Sequence, residues 1–308
     1  MILISEDVWG APFEQLSKRR AVHQDPELWS DSAKLKSEVA NAEVLVVRNR
    51  TQVTADVITA APKLKVIARA GVGLDNIDIK AADKAGVVVV AGLGVNAVSV
   101  AELTLGLALA LRRQIALQDR QTKSGKWLRT PGNEISGSTW GLLGCGATGR
   151  ATAKLLTGFG CKVLGYDPFF KGNSEIQMME WDQLIAQSDV ISVHMPATSE
   201  TIGSINEQVF AAMKDSAILV NVGRGELINE NDLISALKDG QIAGAGLDVR
   251  TSEPPTTGEL ERLDNVILTP HVAGITKESQ SAINQILVDN IDLVLDGKPA
   301  THAVGANK

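Results

Sequence analysis

Short, continuously apolar runs alternate with amphipathic stretches of helical length along most of the chain, and nothing else in the sequence limits the fold as strongly. The runs stand at Val44–Val47, Val66–Ala68, Val87–Val90, Gly141–Gly144, Lys162–Tyr166, Val190–Val193, Ala217–Val220, Ala243–Leu247 and Val266–Leu268, and Met1–Ser5 reads as a first strand. Between them lie segments such as Arg150–Phe159 and Asn231–Asp239. A strand that is apolar at every position is buried on both faces, and strands separated by helices pair in parallel. The pattern therefore predicts an α/β protein with parallel sheets covered on both sides.

At about 150 residues per domain, 308 residues suggest two domains. A fresh strand–helix series begins at Trp140, after a long apolar helix that follows Asn96. The last helix, Lys277 to Leu295, carries Ile283, Ile286, Leu287, Ile291 and Leu295 at helical spacing. It follows a complete α/β series, so it is expected to pack back on the first domain. The division expected is residues 1–93 with 285–308 as one discontinuous domain, and 94–284 as the other.

Gly86–Leu111 is long enough to span a bilayer and carries one charge, Glu102. Gly86, Gly92 and Gly94 interrupt it, so it reads as a buried strand followed by an interior helix, Glu102–Leu111. A formal net charge of −6 lacks the basic footprint of a nucleic-acid or anionic-membrane binder. Two cysteines and four scattered histidines give neither a disulfide framework nor a metal-ligand spacing, so no metal is expected. The amino terminus has no basic region or cleavage-like site, and a cytoplasmic protein is expected.

Glycine is the unusual entry, with 28 copies, and several fall where chemistry is expected. Gly144-Cys145-Gly146-Ala147-Thr148-Gly149 follows a strand and opens a helix. In that context the first glycine permits the tight turn, the second lets backbone approach a pyrophosphate, and the third lets helix and strand pack closely. The pyrophosphate would then sit on the free N–H groups of the helix start, beside Ala147 and Thr148. The next strand ends in Asp167, placed to accept hydrogen bonds from adenine-ribose hydroxyls and to repel a 2′-phosphate. That favours NAD over NADP, a preference weakened slightly by Lys171.

Three later strands also end in reactive side chains: Arg224 within Asn221-Val222-Gly223-Arg224-Gly225, Asp248 followed by Glu253-Pro254, and His271 after Thr269-Pro270. Ligands of open α/β sheets bind at the carboxyl ends of strands. An arginine there can hold a carboxylate through two parallel bonds. A histidine can exchange a hydroxyl proton near neutral pH, and a carboxylate beside it orients the ring. The set fits hydride transfer between a 2-hydroxy acid and its 2-keto acid.

These segments, with Arg69-Ala70-Gly71-Val72-Gly73-Leu74-Asp75-Asn76-Ile77-Asp78 and Ser99-Val100-Ala101-Glu102-Leu103-Thr104, resemble the D-isomer-specific 2-hydroxyacid dehydrogenase family, end to end and in order. Val46–Thr51 and Gly125-Lys126-Trp127 are most similar to its phosphoglycerate dehydrogenase branch. The resemblance implies two Rossmann-like or flavodoxin-like domains with a cleft that closes between them, and a homodimer held by the long helix after Asn96. It implies Arg224 as the carboxylate- and carbonyl-binding residue, His271 as acid/base and Glu253 as its partner. Met195, Val222, Gly223, Asp248, Ala273 and Gly274 would line the nicotinamide half of NAD, and Val72 and Gly73 would meet the substrate carboxylate. Arg48 matches the position implied for a phosphate, with Arg50 and Arg69 as further cations.

The chain departs from the family in two places. Ala91-Gly92-Leu93-Gly94-Val95-Asn96 replaces an Asn-x-Pro-Gly-x-Asn turn, and Arg250 replaces a phenylalanine, adding a positive charge near Glu253. The chain ends soon after its closing helix, so a serine-binding regulatory domain is not expected. The substrate expected is 3-phosphoglycerate or a similarly anionic 2-hydroxy acid. The alternatives are reduction of hydroxypyruvate, glyoxylate or a sulfonated 2-keto acid, and an NAD-sensing corepressor-like role.

Overall fold

The computed structural model describes residues 1–8 and 10–307. Two units result, Met1–Asn96 with Ile275–Lys308, and Ala97–Gly274. The chain crosses between them at 96/97 and 274/275, against the 93/94 and 284/285 expected from sequence. The second difference is the larger. Ile283, Leu287, Val288 and Ile291 of the helix Lys277–Leu295 all join one cluster with Ile2, Ile4, Val44, Val66 and Val90. A continuous hydrogen-bonded helix with one apolar face stays whole, so its first turns go with its last.

In the first unit the strands lie in the order Ala303–Val304, Val88–Ala91, Val66–Arg69, Val44–Val47, Ile2–Ile4, Val22–Gln24. The last five are parallel, and Ala303–Val304 pairs antiparallel at the edge. By chain order the parallel five run 2-1-3-4-5, a flavodoxin-like arrangement. Alternate side chains feed opposite faces: Val44 and Val46 join the cluster with the Lys277–Leu295 helix, while Leu45 and Val47 join Leu35, Val39 and Val57. This explains why the strands read as unbroken apolar runs.

The second unit holds seven parallel strands in the order Val266–Leu268, Gly244–Leu247, Ile218–Asn221, Val190–Val193, Thr139–Leu143, Lys162–Tyr166, Gln177–Met178. Counted along the unit this is the doubly wound order, which reverses between Thr139–Leu143 and Val190–Val193. The helix Ala97–Arg112 packs against this sheet. A Cβ added at Gly246 would come within 3.2 Å of Leu107, so the glycine admits the helix. That helix begins five residues before the expected Glu102, and among the described residues none is long and apolar enough to cross a membrane. The strands Val22–Gln24 and Gln177–Met178 and the antiparallel edge went unread because two or three residues make no periodic pattern.

Candidate active site

The glycine loop sits where the second sheet reverses. Gly144 has φ +97°, and a Cβ there would lie 2.8–2.9 Å from the backbone of His194 and Met195. A Cβ on Gly149 would come within 2.2 Å of the Gly144 carbonyl oxygen, so helix and strand approach as closely as the sequence requires. At Gly146 an added Cβ meets nothing within 4 Å of protein, and Gly146 and Ala147 are exposed. The first and third glycines are therefore needed by the fold, whereas the second leaves a cradle open to a ligand. The N–H groups of the helix Ala147–Thr157 open onto it. This arrangement fits a dinucleotide pyrophosphate.

Asp167 stands at the end of Lys162–Tyr166, as expected, with its carboxylate accepting the N–H groups of Cys145 (2.7 Å), Phe169 (2.8 Å) and Phe170 (3.1 Å). Half-buried, it thus ties the glycine loop to the next strand. Cys145 is buried, and desolvation followed by the nearby Asp167 charge pushes its thiol up to about 12, which keeps it protonated and unreactive. His194 has its Nδ1 buried. Its Nε2 lies 3.0 Å from Ser192 Oγ, which accepts from Trp140 Nε1 at 2.8 Å, and desolvation pushes the histidine down to about 3. It is a neutral packing residue.

The strand ends bring the reactive groups together. Gly223 rests on Met195, whose carbonyl oxygen would lie 2.9 Å from an added Cβ. Asn221 shapes the following turn: its Oδ1 accepts the Gly223 N–H at 3.0 Å and its Nδ2 donates to the Arg224 carbonyl at 2.9 Å. Arg224 is half-buried, with Nη1 donating to the Gly223 carbonyl at 2.9 Å. His271 adopts φ +54°, a left-handed conformation uncommon for a residue with a side chain. Asp248 holds it there: buried, it accepts the Thr269 hydroxyl at 2.6 Å and the N–H groups of Val272 and Ala273 at 2.9 and 2.8 Å. Its backbone carbonyl accepts the His271 N–H at 2.8 Å.

His271 Nδ1 meets Glu253 Oε2 at 2.6 Å. The hydrogen bond to Glu253 raises the histidine above its ordinary value against the opposing effect of desolvation, with the charges of Glu253 and Asp248 adding and that of Arg224 subtracting. Glu253 moves the other way. Desolvation alone would raise it, but the bonds to His271 and to the Arg250 N–H, with the His271 and Arg224 charges, hold it below the usual carboxylate range. With Nδ1 engaged, Nε2 is the ring atom left to exchange a proton with a ligand.

The first unit offers anion-binding groups of its own. Glu6, 3% exposed, accepts four consecutive backbone N–H groups, those of Arg48, Asn49, Arg50 and Thr51, at 2.7–3.2 Å. Asn76 Nδ2 donates to the carbonyls of Arg48 and Thr51. The turn after Val44–Val47 is thereby fixed, with half-buried Arg48 lining a small pocket beside Asp7, Val8, Ala70, Gln280 and Asn284. Arg50 instead lies over the Trp29 ring at 4.7 Å. Arg69 is buried under Gly71, where an added Cβ would come within 1.9 Å of its guanidinium, and Val72 and Gly73 continue that turn, half-buried.

Sequence reasoning missed Glu6, although it ends a strand as Asp167 and Asp248 do. It gave Arg250 as an added positive charge near Glu253, as found, but named no partner for it. The guanidinium is paired with Glu230 and Glu261, because the helix beginning at Glu230 and the turn Leu260–Arg262 both pack beside it.

Comparison with known proteins identifies the family. The sequence profile of the D-isomer specific 2-hydroxyacid dehydrogenase NAD binding domain matches residues 105–273, more than half of the chain. The chain belongs to that family. A D-3-phosphoglycerate dehydrogenase of Archaeoglobus fulgidus is 45% identical over 274 residues, covering 87% of this chain and 52% of its own length. The chain thus spans about half the length of the curated relatives it matches. Among solved structures, a Thermus thermophilus protein superposes with a TM-score of 0.92 at 32% identity, covering 98% of this chain and 99% of that one. D-lactate dehydrogenase of Aquifex aeolicus, complexed with NAD and lactic acid, gives 0.85 at 29%, with 96% and 95% covered. Both superpositions extend over nearly the whole chain, and so take in residues of both units.

Proposed function

We propose that the protein interconverts a small D-2-hydroxy acid and its 2-keto acid, with NAD as the hydride carrier. The observation that carries this is the 2.6 Å His271–Glu253 pair, held with Arg224 on successive strand ends of the unit that bears the glycine cradle. NAD would be held by Gly144, Gly146, Ala147, Thr148 and Gly149 at the pyrophosphate, by Asp167 at the adenine ribose, and by Met195, Val222, Gly223, Asp248, Ala273 and Gly274 at the nicotinamide. When bound it supplies the hydride acceptor, or in reduced form the donor. Arg224 grips the substrate carboxylate with its planar fork and polarises the adjacent carbonyl. In oxidation neutral His271 accepts the hydroxyl proton at Nε2; in reduction the imidazolium returns it. Glu253 stabilises that imidazolium and fixes the ring.

Arg48, Val72 and Gly73 are the proposed contacts for the substrate's anionic groups. Arg48 has a built setting in the Glu6-fixed turn, which favours 3-phosphoglycerate or a similarly anionic acid over an uncharged one. Reduction of hydroxypyruvate, glyoxylate or a sulfonated 2-keto acid would use the same groups. A homodimer fits the exposed apolar side chains Val98, Ile115, Trp127 and Leu128 on and after the helix Ala97–Arg112. A cytoplasmic setting fits two cysteines that remain thiols.

The test is turnover of a panel of 2-hydroxy acids with NAD, followed by NADH absorbance. Oxidation of a phosphorylated or sulfonated member, with KM raised in Arg48→Ala, is the result expected. Tight NAD binding without turnover of any member would overturn the enzymatic reading in favour of an NAD sensor.

A further inference from the structure

The loop that carries Glu253 has no regular structure, and Thr251 to Thr257 are all exposed. Its two ends are nevertheless tied to one guanidinium. Arg250 donates from Nε and Nη2 to the two carboxylate oxygens of Glu230, both at 3.0 Å, and from Nη1 to Glu261 Oε1 at 2.6 Å. Glu230 Oε1 also accepts the Thr251 N–H at 2.9 Å, and Glu261 Oε2 accepts the Gly258 N–H at 2.7 Å. The start of the loop is thus pinned by one carboxylate and its end by the other, with Arg250 bridging them. Its side chain is 11% exposed, so the bridge is shielded from water in a way that surface pairs are not.

Two further contacts join this clamp to the reactive groups. The Arg250 N–H donates to Glu253 Oε1 at 3.0 Å, which leaves Oε2 for His271. The Arg250 carbonyl group rests on Gly225, where an added Cβ would lie 2.0–2.1 Å from it, directly after Arg224. We infer that Arg250, clamped by Glu230 and Glu261, is a positioning residue that aims Glu253 at His271. The inference rests on the acid/base reading of that pair. A phenylalanine, the residue the family resemblance leads one to expect here, could not bridge two carboxylates. A lysine could bridge them only as a point charge without the fork.

The charged groups around His271 are Glu253, Asp248 and Arg224, and none of them is altered by substituting Arg250. The experiment is an NMR titration of the His271 imidazole without substrate, assigned by loss of its signal in His271→Asn, together with pH profiles of kcat. In Arg250→Met the His271 pKa should fall toward its ordinary value of about 6.5. The value of kcat should drop roughly 10- to 100-fold, as for a small misplacement of an acid/base group, with KM for NAD unchanged. Arg250→Lys should recover part of both. In a Glu253→Gln background, Arg250→Met should move the His271 pKa no further.

A lower melting temperature with the His271 pKa unmoved would overturn the inference, as would a shift that adds fully to that of Glu253→Gln. If Arg250→Met does not fold, Glu261→Gln removes only the 2.6 Å arm and is read by the same two outcomes. A wild-type protein that turned over no 2-hydroxy acid would defeat the proposed reaction, while the titration would still report whether Arg250 acts through Glu253.

Discussion

Glu6 in the first unit and Glu253 in the second are both carboxylates held by backbone N–H groups, and they end in opposite roles. Glu6 is buried and spends both oxygens on the four N–H groups of Arg48–Thr51. Its charge is consumed in building a turn, as a bound anion's would be in a nest of amides. Glu253 is 34% exposed in its side chain and receives a single backbone N–H. Its second oxygen is left to hold the His271 ring. The number of amides aimed at a carboxylate separates a structural acid from one able to tune a neighbour. Asp248 lies between the two, buried and bonded to one hydroxyl and two amides, and it serves the backbone of His271 while Glu253 serves its ring.

The largest effect expected is from His271→Asn, which removes the group that Glu253 serves. The kcat should fall by about 10²–10⁴, the usual contribution of a positioned acid/base, with little change in NAD affinity by fluorescence titration. Loss of NAD binding in step with kcat would instead make His271 a cofactor ligand. Glu253→Gln should cost less and should leave a signature in pH. Because Glu253 raises His271, its loss lets the imidazolium deprotonate earlier, so the alkaline limb of 2-keto acid reduction moves to lower pH. The acid limb of 2-hydroxy acid oxidation moves the same way.

Linkage gives the same pair a stability signature. The raised His271 contributes stability that is full below about pH 6.5 and lost as pH rises through its folded pKa. The lowered Glu253 contributes stability that is full above about pH 4.5 and lost as pH falls through its folded pKa. The difference in urea midpoint between wild type and Glu253→Gln should therefore be greatest between these limits, and small, since both side chains meet solvent.

Glu6→Gln should behave in the contrary manner. Replacing an acceptor by an amide that faces four donors should destabilise the protein by about 1–3 kcal/mol in urea unfolding. It should raise KM for an anionic substrate through Arg48 and leave the pH limbs in place; a moved limb would erase the distinction between the two acids. The smallest effect on stability is expected from Gly146→Ala. With ordinary φ and open space around the added methyl, the entropy removed from the unfolded chain opposes the loss of a favourable helix-capping residue, so stability should change by less than about 1 kcal/mol, yet NAD affinity should drop. Unchanged affinity would mean that the cradle is not where the pyrophosphate lies.

Much of the fold was legible because buried parallel strands leave unbroken apolar runs: Val44–Val47, Lys162–Tyr166, Val190–Val193 and Val266–Leu268 appear with the very limits the sequence suggests. The helix Lys277–Leu295 was equally clear, since five apolar positions at helical spacing mark one face. In the site, the glycine loop, Arg224 and His271 could be read because each stands at a strand end, where local sequence announces its place. Glu6 stands at such an end too, but its partners lie more than forty residues away and are backbone groups, which have no signature of their own. The partners of Arg250 could not be read for a related reason: its charge is local, while the carboxylates that neutralise it come from positions 230 and 261.

By itself, the sequence determined which segments form strands and helices, which turns require glycine, and which family the chain resembles. These are properties of short stretches, governed by periodicity, φ and the sterics of a missing Cβ. Only the tertiary structure decided which carboxylates are consumed by amides, which arginine is a clamp, and that the closing helix joins the first unit from its first turn. Those outcomes depend on which groups from distant segments arrive within about 3 Å of one another, and hydrogen bonds and ion pairs act only at that range.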